Sequence, residues 1–286
     1  MSVKPVFKIL LFSSIIILIF LTPAVCQNKF ESSLKNKMDS LAQEPGVFAR
    51  DELYPNDAMQ NLMTPSGWGG YGTYVFGGIG GTYPAVYTNR PDLIGSVGFC
   101  VGNSAKAINL ATSLNITKVT SFSDMSVNFI ASRKLFRGTS VSIGGLQLFA
   151  PASQSDAPGS TFYIAFSQAI QGVFSKTPGS SAITYTIGYG TGRFLLKSPY
   201  DVIAGKGHSG TGVFGSVSCE VVKHVNLNAE WTGLNLGLSV GIRPFKTPFS
   251  LGVGVSDLTN YTSDKPAMIF SMGFPLSLSR AAKQKI

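Results

Sequence analysis

From Trp68 to Leu278, apolar and small polar residues alternate with a period of two, which is the spacing of a β-strand with two different faces. In the clearest stretches one face consists mainly of Leu, Val, Ile, Phe or Met, and the other mainly of Gly, Ser and Asn. These four stretches are 225–232, 234–243, 249–256 and 268–278. Eight earlier stretches fit less regularly, near 71–80, 92–102, 106–117, 122–133, 138–149, 160–171, 182–192 and 210–222. The pattern predicts about twelve strands joined by turns.

The polar face of these strands is almost uncharged, and this indicates which face points outward. A soluble barrel would carry many Lys and Glu residues on its outer surface, but only 13% of this chain is charged. Strands of about nine to twelve residues are long enough to cross a bilayer at a tilt, and bacterial barrels have even strand numbers. We therefore predict an all-β fold, a closed antiparallel transmembrane β-barrel of about 12 strands. Its predicted bounds are residues 68–278 and its predicted location is the bacterial outer membrane.

The connections between the predicted strands differ in length on the two sides. If both ends of the barrel lie in the periplasm, alternate loops should be long and face outward. The predicted outward loops are 81–91, 118–121, 150–159, 193–209, 232–233 and 257–267, and the predicted inward turns are 103–105, 134–137, 172–181, 223–224 and 243–248. The three longest connections are on the outward side, which supports this orientation.

The first 26 residues have the pattern of a secretory signal peptide. Lys4 and Lys8 precede an apolar run from Ile9 to Leu21, and small residues lead to a predicted cleavage before Gln27. An alternative is a lipoprotein with an acylated Cys26, although the residues before this cysteine fit that pattern poorly.

Residues 27–67 form a separate segment that lacks the strand pattern. A stretch from about Lys29 to Gln43 has helical spacing, and the segment is therefore predicted to be partly helical. Two interpretations remain open, a periplasmic segment or a plug that enters the barrel. The last residues, 279–286, form a basic C-terminal tail.

The net charge of +9 does not come from one basic cluster, because the Lys and Arg residues are distributed over turns and both tails. This distribution is typical of contacts with anionic lipid headgroups. We therefore predict membrane lipids as partners and no binding of nucleic acid.

The last predicted strand carries a recognisable pattern. Residues Ser271–Leu278 follow the order polar-x-Gly-x-x-apolar-x-apolar, which resembles the β-signal by which outer-membrane barrels are recognised for insertion. Leucines stand where that signal usually has aromatic residues, and eight residues follow it. The resemblance implies the outer-membrane assembly machinery as a partner.

Five segments of the chain carry a family resemblance, namely VGFCVGNSAKA at 97–107, VFGSVS at 213–218, AEWTGLNLGLS at 229–239, PF at 244–245 and GVSDL at 254–258. They resemble a group of uncharacterised outer-membrane β-barrel proteins of cyanobacteria and related bacteria. They also show a fainter likeness to the barrel domains of exopolysaccharide-associated outer-membrane proteins, through a Glu-aromatic-x-Gly hairpin. The resemblance covers most of residues 64–278 and implies a barrel without assigning an activity.

Residues that could support catalysis are few. Of the two histidines, His208 lies in the longest outward loop and His224 in a tight inward turn. Ser209 is adjacent to His208, but neighbouring side chains usually point apart, and a hydrolase needs its serine and histidine in contact. No metal-binding spacing is present. We therefore predict no enzyme activity, no metal site and no cofactor, and treat a lipid hydrolase as the third of three functional hypotheses.

Asp124, Glu220 and Glu230 are the only mid-strand acids of the predicted strands, and they are the candidate lumen residues. Glu220 and Glu230 fall on the polar faces of neighbouring strands, so they are expected to lie near one another inside the barrel. An ionisable group at membrane depth is costly and indicates a functional site. The functional interpretation is a cation-favouring or gating position, and the alternative is a structural hydrogen-bonded cluster with Asn226, Asn228 or an inward Arg.

The first functional hypothesis is a small channel or solute-binding pore for small solutes. The second is a structural or accessory barrel in the export of envelope polysaccharide.

Overall fold

The structure, a computed structural model, describes residues 52–85, 90–118, 123–150, 160–245 and 248–278. The predicted signal peptide, the predicted helix at 29–43 and the basic tail at 279–286 lie outside the described residues. Residues 52–286 belong to one structural unit.

Twelve strands close into one antiparallel barrel, as the sequence predicted. Numbered along the chain together with two short strands outside the barrel, the barrel strands are β2 (Tyr74–Tyr83), β3 (Asp92–Gly102), β4 (Asn109–Lys118), β5 (Ser123–Phe136), β6 (Thr139–Leu148), β7 (Thr161–Ala169), β9 (Ile183–Gly190), β10 (Val213–Val222), β11 (Val225–Trp231), β12 (Leu236–Ile242), β13 (Ser250–Ser256) and β14 (Ala267–Ser277). Each of them corresponds to one of the twelve predicted stretches.

The remaining elements are short. Strands β1 (Tyr54–Pro55) and β8 (Ser180–Ser181) form a two-residue parallel pair. A 3₁₀ turn at Gly192–Phe194 and helix α1 (Pro199–Ile203) follow β9. No helix in the described part of the chain is long and apolar enough to cross a membrane.

The barrel closes because the last strand pairs with the first. Pairing between β14 and β2 runs from Met268 opposite Tyr83 to Ser277 opposite Tyr74. This closure leaves no unpaired sheet edge, which a bilayer requires because lipid cannot hydrogen-bond a free strand.

The apolar side chains face outward. On β11 and β12, Leu227 and Leu238 are 48% and 44% exposed, whereas Asn228 and Ser239 on the opposite face are 0% and 2% exposed. Large apolar residues on the outside and small polar residues on the inside are the inverse of a soluble protein and match a lipid-facing wall.

The two ends of the barrel differ. One end has the connections 84–91, 119–122, 149–160, 191–212, 232–235 and 257–266, which we call the long-loop end. The other has the turns 103–108, 137–138, 170–182, 223–224 and 243–249, and we call it the short-turn end. The first residue of β2 and the last residue of β14 both lie at the short-turn end, so the chain enters and leaves the barrel wall there. This asymmetry matches the predicted orientation, in which the short turns lie in the periplasm.

Residues 52–73 precede the first barrel strand and are called the lumen segment from here on. The barrel was predicted to start at Trp68, but β2 begins only at Tyr74. The lumen segment contains the short strand β1 and otherwise consists of turns, bends and irregular chain.

Candidate functional site in the barrel lumen

Both ends of the lumen segment lie at the short-turn end of the barrel. At its start, the Glu52 carboxylate accepts a hydrogen bond from the Gly138 N–H at 2.8 Å and pairs with the Lys134 ammonium. At its finish, Tyr71 forms a β-bridge with Asn103, and the next residue donates its N–H to Gly102 O at 2.7 Å. The segment therefore enters and leaves the barrel at the same rim.

Between these ends, the lumen segment contacts the inner face of β10 and β11. The Asn61 side-chain amide donates to Ser216 Oγ at 2.8 Å. The Asn228 side-chain amide donates to Gln60 O at 3.0 Å. Both wall residues are buried and point inward, so this part of the chain lies inside the barrel.

The next part of the lumen segment contacts β6 and β7, which lie on the other side of β9 from β10, and then β4, which lies opposite β11 in the closed barrel. Ser142 Oγ on β6 donates to Ser66 O at 2.7 Å, and the Gly67 N–H donates to Ser167 Oγ on β7 at 2.8 Å. Gly70 N–H then donates to Asn109 Oδ1 on β4 at 3.1 Å. The segment therefore crosses the lumen from one wall to the other before it returns to the rim.

Inward-facing glycines of β12 and β13 provide the space for this crossing. A Cβ atom at Gly241 would lie 2.3 Å from Ala58 O, and one at Gly252 would lie 2.6 Å from a methyl carbon of Leu62. A Cβ at Gly237 would lie 2.1 Å from Cε of Met63. The glycine-rich inner face is therefore a packing surface for the lumen segment.

Glu230 on β11 is the charged group at the centre of this arrangement, and it is fully buried. Its carboxylate accepts the backbone N–H groups of Leu62, Met63 and Thr64 at 2.8, 2.9 and 2.8 Å. The hydroxyls of Thr64 and Ser239 add hydrogen bonds of 2.9 and 3.3 Å. None of the ion pairs within the described residues involves Glu230, so hydrogen-bond donors alone compensate its charge.

The other two candidate acids lie elsewhere. In the register of β10 and β11, Glu230 is opposite Ser216, whereas Glu220 is opposite Asn226. Glu220 is thus four residues nearer to the turn, or about 13 Å along the strand. Its carboxylate accepts the Lys176 N–H at 2.9 Å, at the short-turn end. The expected proximity of Glu220 and Glu230 is therefore wrong, because a tight turn at 223–224 places the two residues at different heights.

Asp124 lies at the opposite end of the barrel. It is near the start of β5 at the long-loop end, has a φ of 68°, and its backbone oxygen accepts a hydrogen bond from Thr117 Oγ1 at 2.9 Å. The structure therefore does not combine the three acids into one site, and only Glu230 contacts the lumen segment.

The outer part of the lumen is also filled on one side. Phe194 from the loop 191–212 is fully buried and stacks on Phe214, with ring centroids 4.5 Å apart. Tyr163 packs edge-on against Phe214 at 6.2 Å. These rings occupy the lumen beside β7, β9 and β10.

Two buried polar residues hold the loop 191–212 in place. Lys197 Nζ donates to Lys206 O at 2.7 Å and to Tyr261 O at 3.1 Å. The Asp201 carboxylate accepts hydrogen bonds from Ser198 and from the Ser263 N–H. Burial alone would raise the pKa of Asp201, but these hydrogen bonds from Ser263 and Ser198 outweigh it and hold the pKa below its usual value.

The opposite side of the outer lumen is more open. Inward-facing Ser96, Ser113 and Asn115 on β3 and β4 are partly exposed, whereas Ser167 on β7 and Thr186 on β9 are buried. The described part of the lumen is therefore less tightly filled beside β3 and β4 than beside β7 and β9. Nearer the short-turn end, Asn109 on β4 is buried where Gly70 contacts it.

The histidines do not form a hydrolase site in the described part of the chain. His224 Nδ1 lies 2.8 Å from Asp57 Oδ2 at the short-turn rim, and Arg243 approaches the same carboxylate at 3.8 Å. His208 is exposed in its loop and contributes a backbone oxygen to Lys197 N–H at 3.0 Å. Among the described residues, neither imidazole bonds a serine hydroxyl, and no cluster of His, Cys, Asp and Glu could hold a metal ion.

Comparisons with known proteins are distant. No family model and no curated protein matches the chain. Among solved structures, the chain resembles the KdgM porin, with 10% identity, a TM-score of 0.40 and coverage of 72% of this chain and 99% of the porin. It also resembles outer membrane phospholipase A from Escherichia coli, with 10% identity, a TM-score of 0.35 and coverage of 77% and 96%.

A third similar structure is the outer membrane phospholipase of Salmonella typhi, described as a dimer with bound calcium. The identity is 8%, the TM-score is 0.37, and the match covers 77% of this chain and 95% of that one. Similarities at this level assign no function. The closed barrel, its apolar outer face and its unequal ends make the chain a bacterial outer-membrane β-barrel protein.

Proposed function

We propose that this protein is an outer-membrane channel for small hydrophilic solutes, and that its own lumen segment holds it closed. The supporting observation is the crossing of the lumen by residues 60–70, which hydrogen-bond β10 and β11 on one wall and β4 on the opposite wall, with contacts to β6 and β7 between them. This proposal adopts the plug interpretation of the N-terminal segment and applies it to the described residues 52–73.

The wall behind the lumen segment suits the passage of solutes. It presents small hydroxyl and amide side chains such as Ser216, Ser218, Asn226 and Ser239. Groups of this kind hydrogen-bond water and uncharged polar solutes without holding them tightly. Withdrawal of the lumen segment would therefore join the less tightly filled outer lumen to the periplasm by a polar path.

The test removes residues 27–72 behind an intact signal peptide and compares the refolded variant with the full-length protein in planar bilayers. We expect stable single-channel steps from the shortened barrel and few or none from the full-length protein. Both proteins must migrate as folded, heat-modifiable barrels on gels before they are compared. A folded shortened barrel that does not conduct would contradict the channel.

The second candidate is an accessory barrel in the export of envelope polysaccharide, which the exopolysaccharide-associated resemblance suggested. The filled lumen favours it, because a barrel that only anchors partners needs no path through its centre. This role predicts that neither protein conducts and that loss of the gene reduces surface polysaccharide. We also propose that the outer-membrane assembly machinery recognises β14 through Ser271–Leu278.

A further inference from the structure

We infer that Glu230 is the latch that holds the lumen segment in the barrel, and that the same carboxylate makes the opened channel favour cations. The inference rests on the proposed channel function and adds how the channel is kept closed and which solutes it prefers.

The local geometry of the lumen segment fits one anion. The N–H groups of three consecutive residues, Leu62, Met63 and Thr64, all point to the Glu230 carboxylate. In an extended chain, consecutive N–H groups point to opposite sides. Here the chain bends at 62–64, so the three donors converge. Converging backbone donors form a nest, which is a site for an anionic oxygen.

This contact is the charged one in the middle of the lumen segment. The neighbouring contacts, Asn61 with Ser216 and Asn228 with Gln60, join neutral groups. Hydrogen bonds to an ionised acceptor are roughly twice as strong as neutral ones. The Glu52–Lys134 pair and the Asp57–Arg243 pair lie at the rim and hold the segment there. Release of the middle therefore depends mainly on Glu230.

The dependence is mutual, because the buried Glu230 carboxylate also relies on the lumen segment for its hydrogen-bond donors. A buried carboxylate without donors is strongly unfavourable. When the segment withdraws, water and cations must replace the lost N–H groups. Of the three candidate acids, Glu230 is the one placed away from both ends of the barrel. Its charge would then attract cations to the open lumen and repel anions.

The first experiment compares the full-length protein with Glu230→Gln, and uses Glu220→Gln as the matched control because Glu220 contacts only the short-turn end. Hydrogen–deuterium exchange followed by mass spectrometry reports on the amides of residues 62–64. We expect their exchange to accelerate by about 10- to 100-fold in Glu230→Gln, from the loss of one or two charged hydrogen bonds. We expect channel steps to appear in the same variant, and Glu220→Gln to behave like the unchanged protein.

The second experiment separates release from charge. Thr64→Pro removes one N–H donor and one hydroxyl donor from the latch but leaves the Glu230 carboxylate in place. In a potassium chloride gradient, we expect a cation-selective reversal potential for Thr64→Pro and a weaker preference for Glu230→Gln. Equal selectivity of the two open variants would overturn the role of Glu230 in ion preference.

The outcomes distinguish the latch from the channel. Unchanged exchange at residues 62–64 in a folded Glu230→Gln barrel would overturn the latch, whatever the conductance. Accelerated exchange without channel steps would support the latch and count against the channel function, because the segment would move without opening a path.

Discussion

The glycine at position 241 should be essential for the position of the lumen segment. A Cβ atom there would lie 2.3 Å from the backbone oxygen of Ala58, and 3.2 Å from Cβ of Gln60. An ordinary contact needs about 1 Å more, and a backbone oxygen cannot rotate away as a side-chain end can. Overpacking of this kind costs about 1–3 kcal/mol. We therefore expect Gly241→Ala to weaken the docking of the segment by about this amount.

Two other inward-facing glycines provide graded controls. At Gly252 the added carbon would meet a terminal methyl of Leu62 at 2.6 Å, which can move by rotation of the side chain. At Gly273 the nearest atom is Ser250 Oγ at 3.4 Å, and no atom of the lumen segment is among the nearest contacts. We expect the docking of the lumen segment to be weakened most by Gly241→Ala, less by Gly252→Ala, and almost not at all by Gly273→Ala.

The assay is hydrogen exchange of the amides of residues 58–64 in the folded barrel. A cost of about 2 kcal/mol corresponds to roughly 30-fold faster exchange if exchange occurs from the undocked state. The exchange of amides within the barrel strands should not change, since their pairing does not involve the segment. If Gly241→Ala exchanged no faster than Gly273→Ala, the packing of the segment against β12 would be refuted.

Three further predictions concern the long-loop end and assembly. Lys197→Ala should weaken the packing of the loop 191–212 by about 2 kcal/mol, because two backbone carbonyls lose a charged hydrogen-bond donor. Limited proteolysis should therefore cut this loop faster in Lys197→Ala than in the control variant Lys223→Ala. The same loop should also loosen in acid. The folded protein lowers the pKa of Asp201, so ionised Asp201 stabilises the fold at a pH above its unfolded pKa, and this stabilisation is lost as the pH falls through the lower pKa of the folded state. Asp201→Asn should abolish this pH dependence of proteolysis. Replacing Leu276 and Leu278 by Asn should reduce the amount of folded barrel in membranes, measured by heat-modifiable migration, whereas an unchanged amount would argue against recognition of β14 by the assembly machinery.

The sequence predicted the wall of the barrel well because lipid imposes a strict alternation on it. Leu227, Leu238 and their outward neighbours must be apolar, so all twelve strands could be predicted from a period of two. The first strand was predicted to begin three residues early, because Tyr71 forms an isolated β-bridge with Asn103 before β2 begins at Tyr74.

The contents of the lumen were not predictable in the same way. The lumen segment has little regular structure, and its contacts are hydrogen bonds between its backbone and single wall residues, which leave no periodic pattern. The inward glycines of β12 and β13 were predicted only as part of the small polar face of their strands, but they make room for Ala58 and Leu62. Glu230 could be identified as unusual from its charge alone, but nothing in the sequence indicated that residues 62–64 are its partners.

One missed element did carry a signal. Ser198 and Asp201 form a capping box around the start of α1, with Pro199 at the first helical position. This three-residue spacing is present in the sequence and predicts a helix start in the loop 191–212. The burial of Phe194 had no comparable signal, because an aromatic residue in a long loop does not reveal what it packs against.

The lumen segment enters and leaves the barrel at the short-turn rim, so it is attached at one end of the barrel and not at the other. A chain that is tethered at both ends to the short-turn rim is a loop, and a loop can be drawn out without threading a free end past the wall. Such a withdrawal leaves every strand pair of the barrel itself intact, including the closure of β14 on β2. Traction on the chain before Glu52 acts directly on this loop, whereas the outer loops hold no part of it through the contacts described. Opening of the proposed channel would therefore be controlled from the short-turn end, which is the predicted periplasmic side.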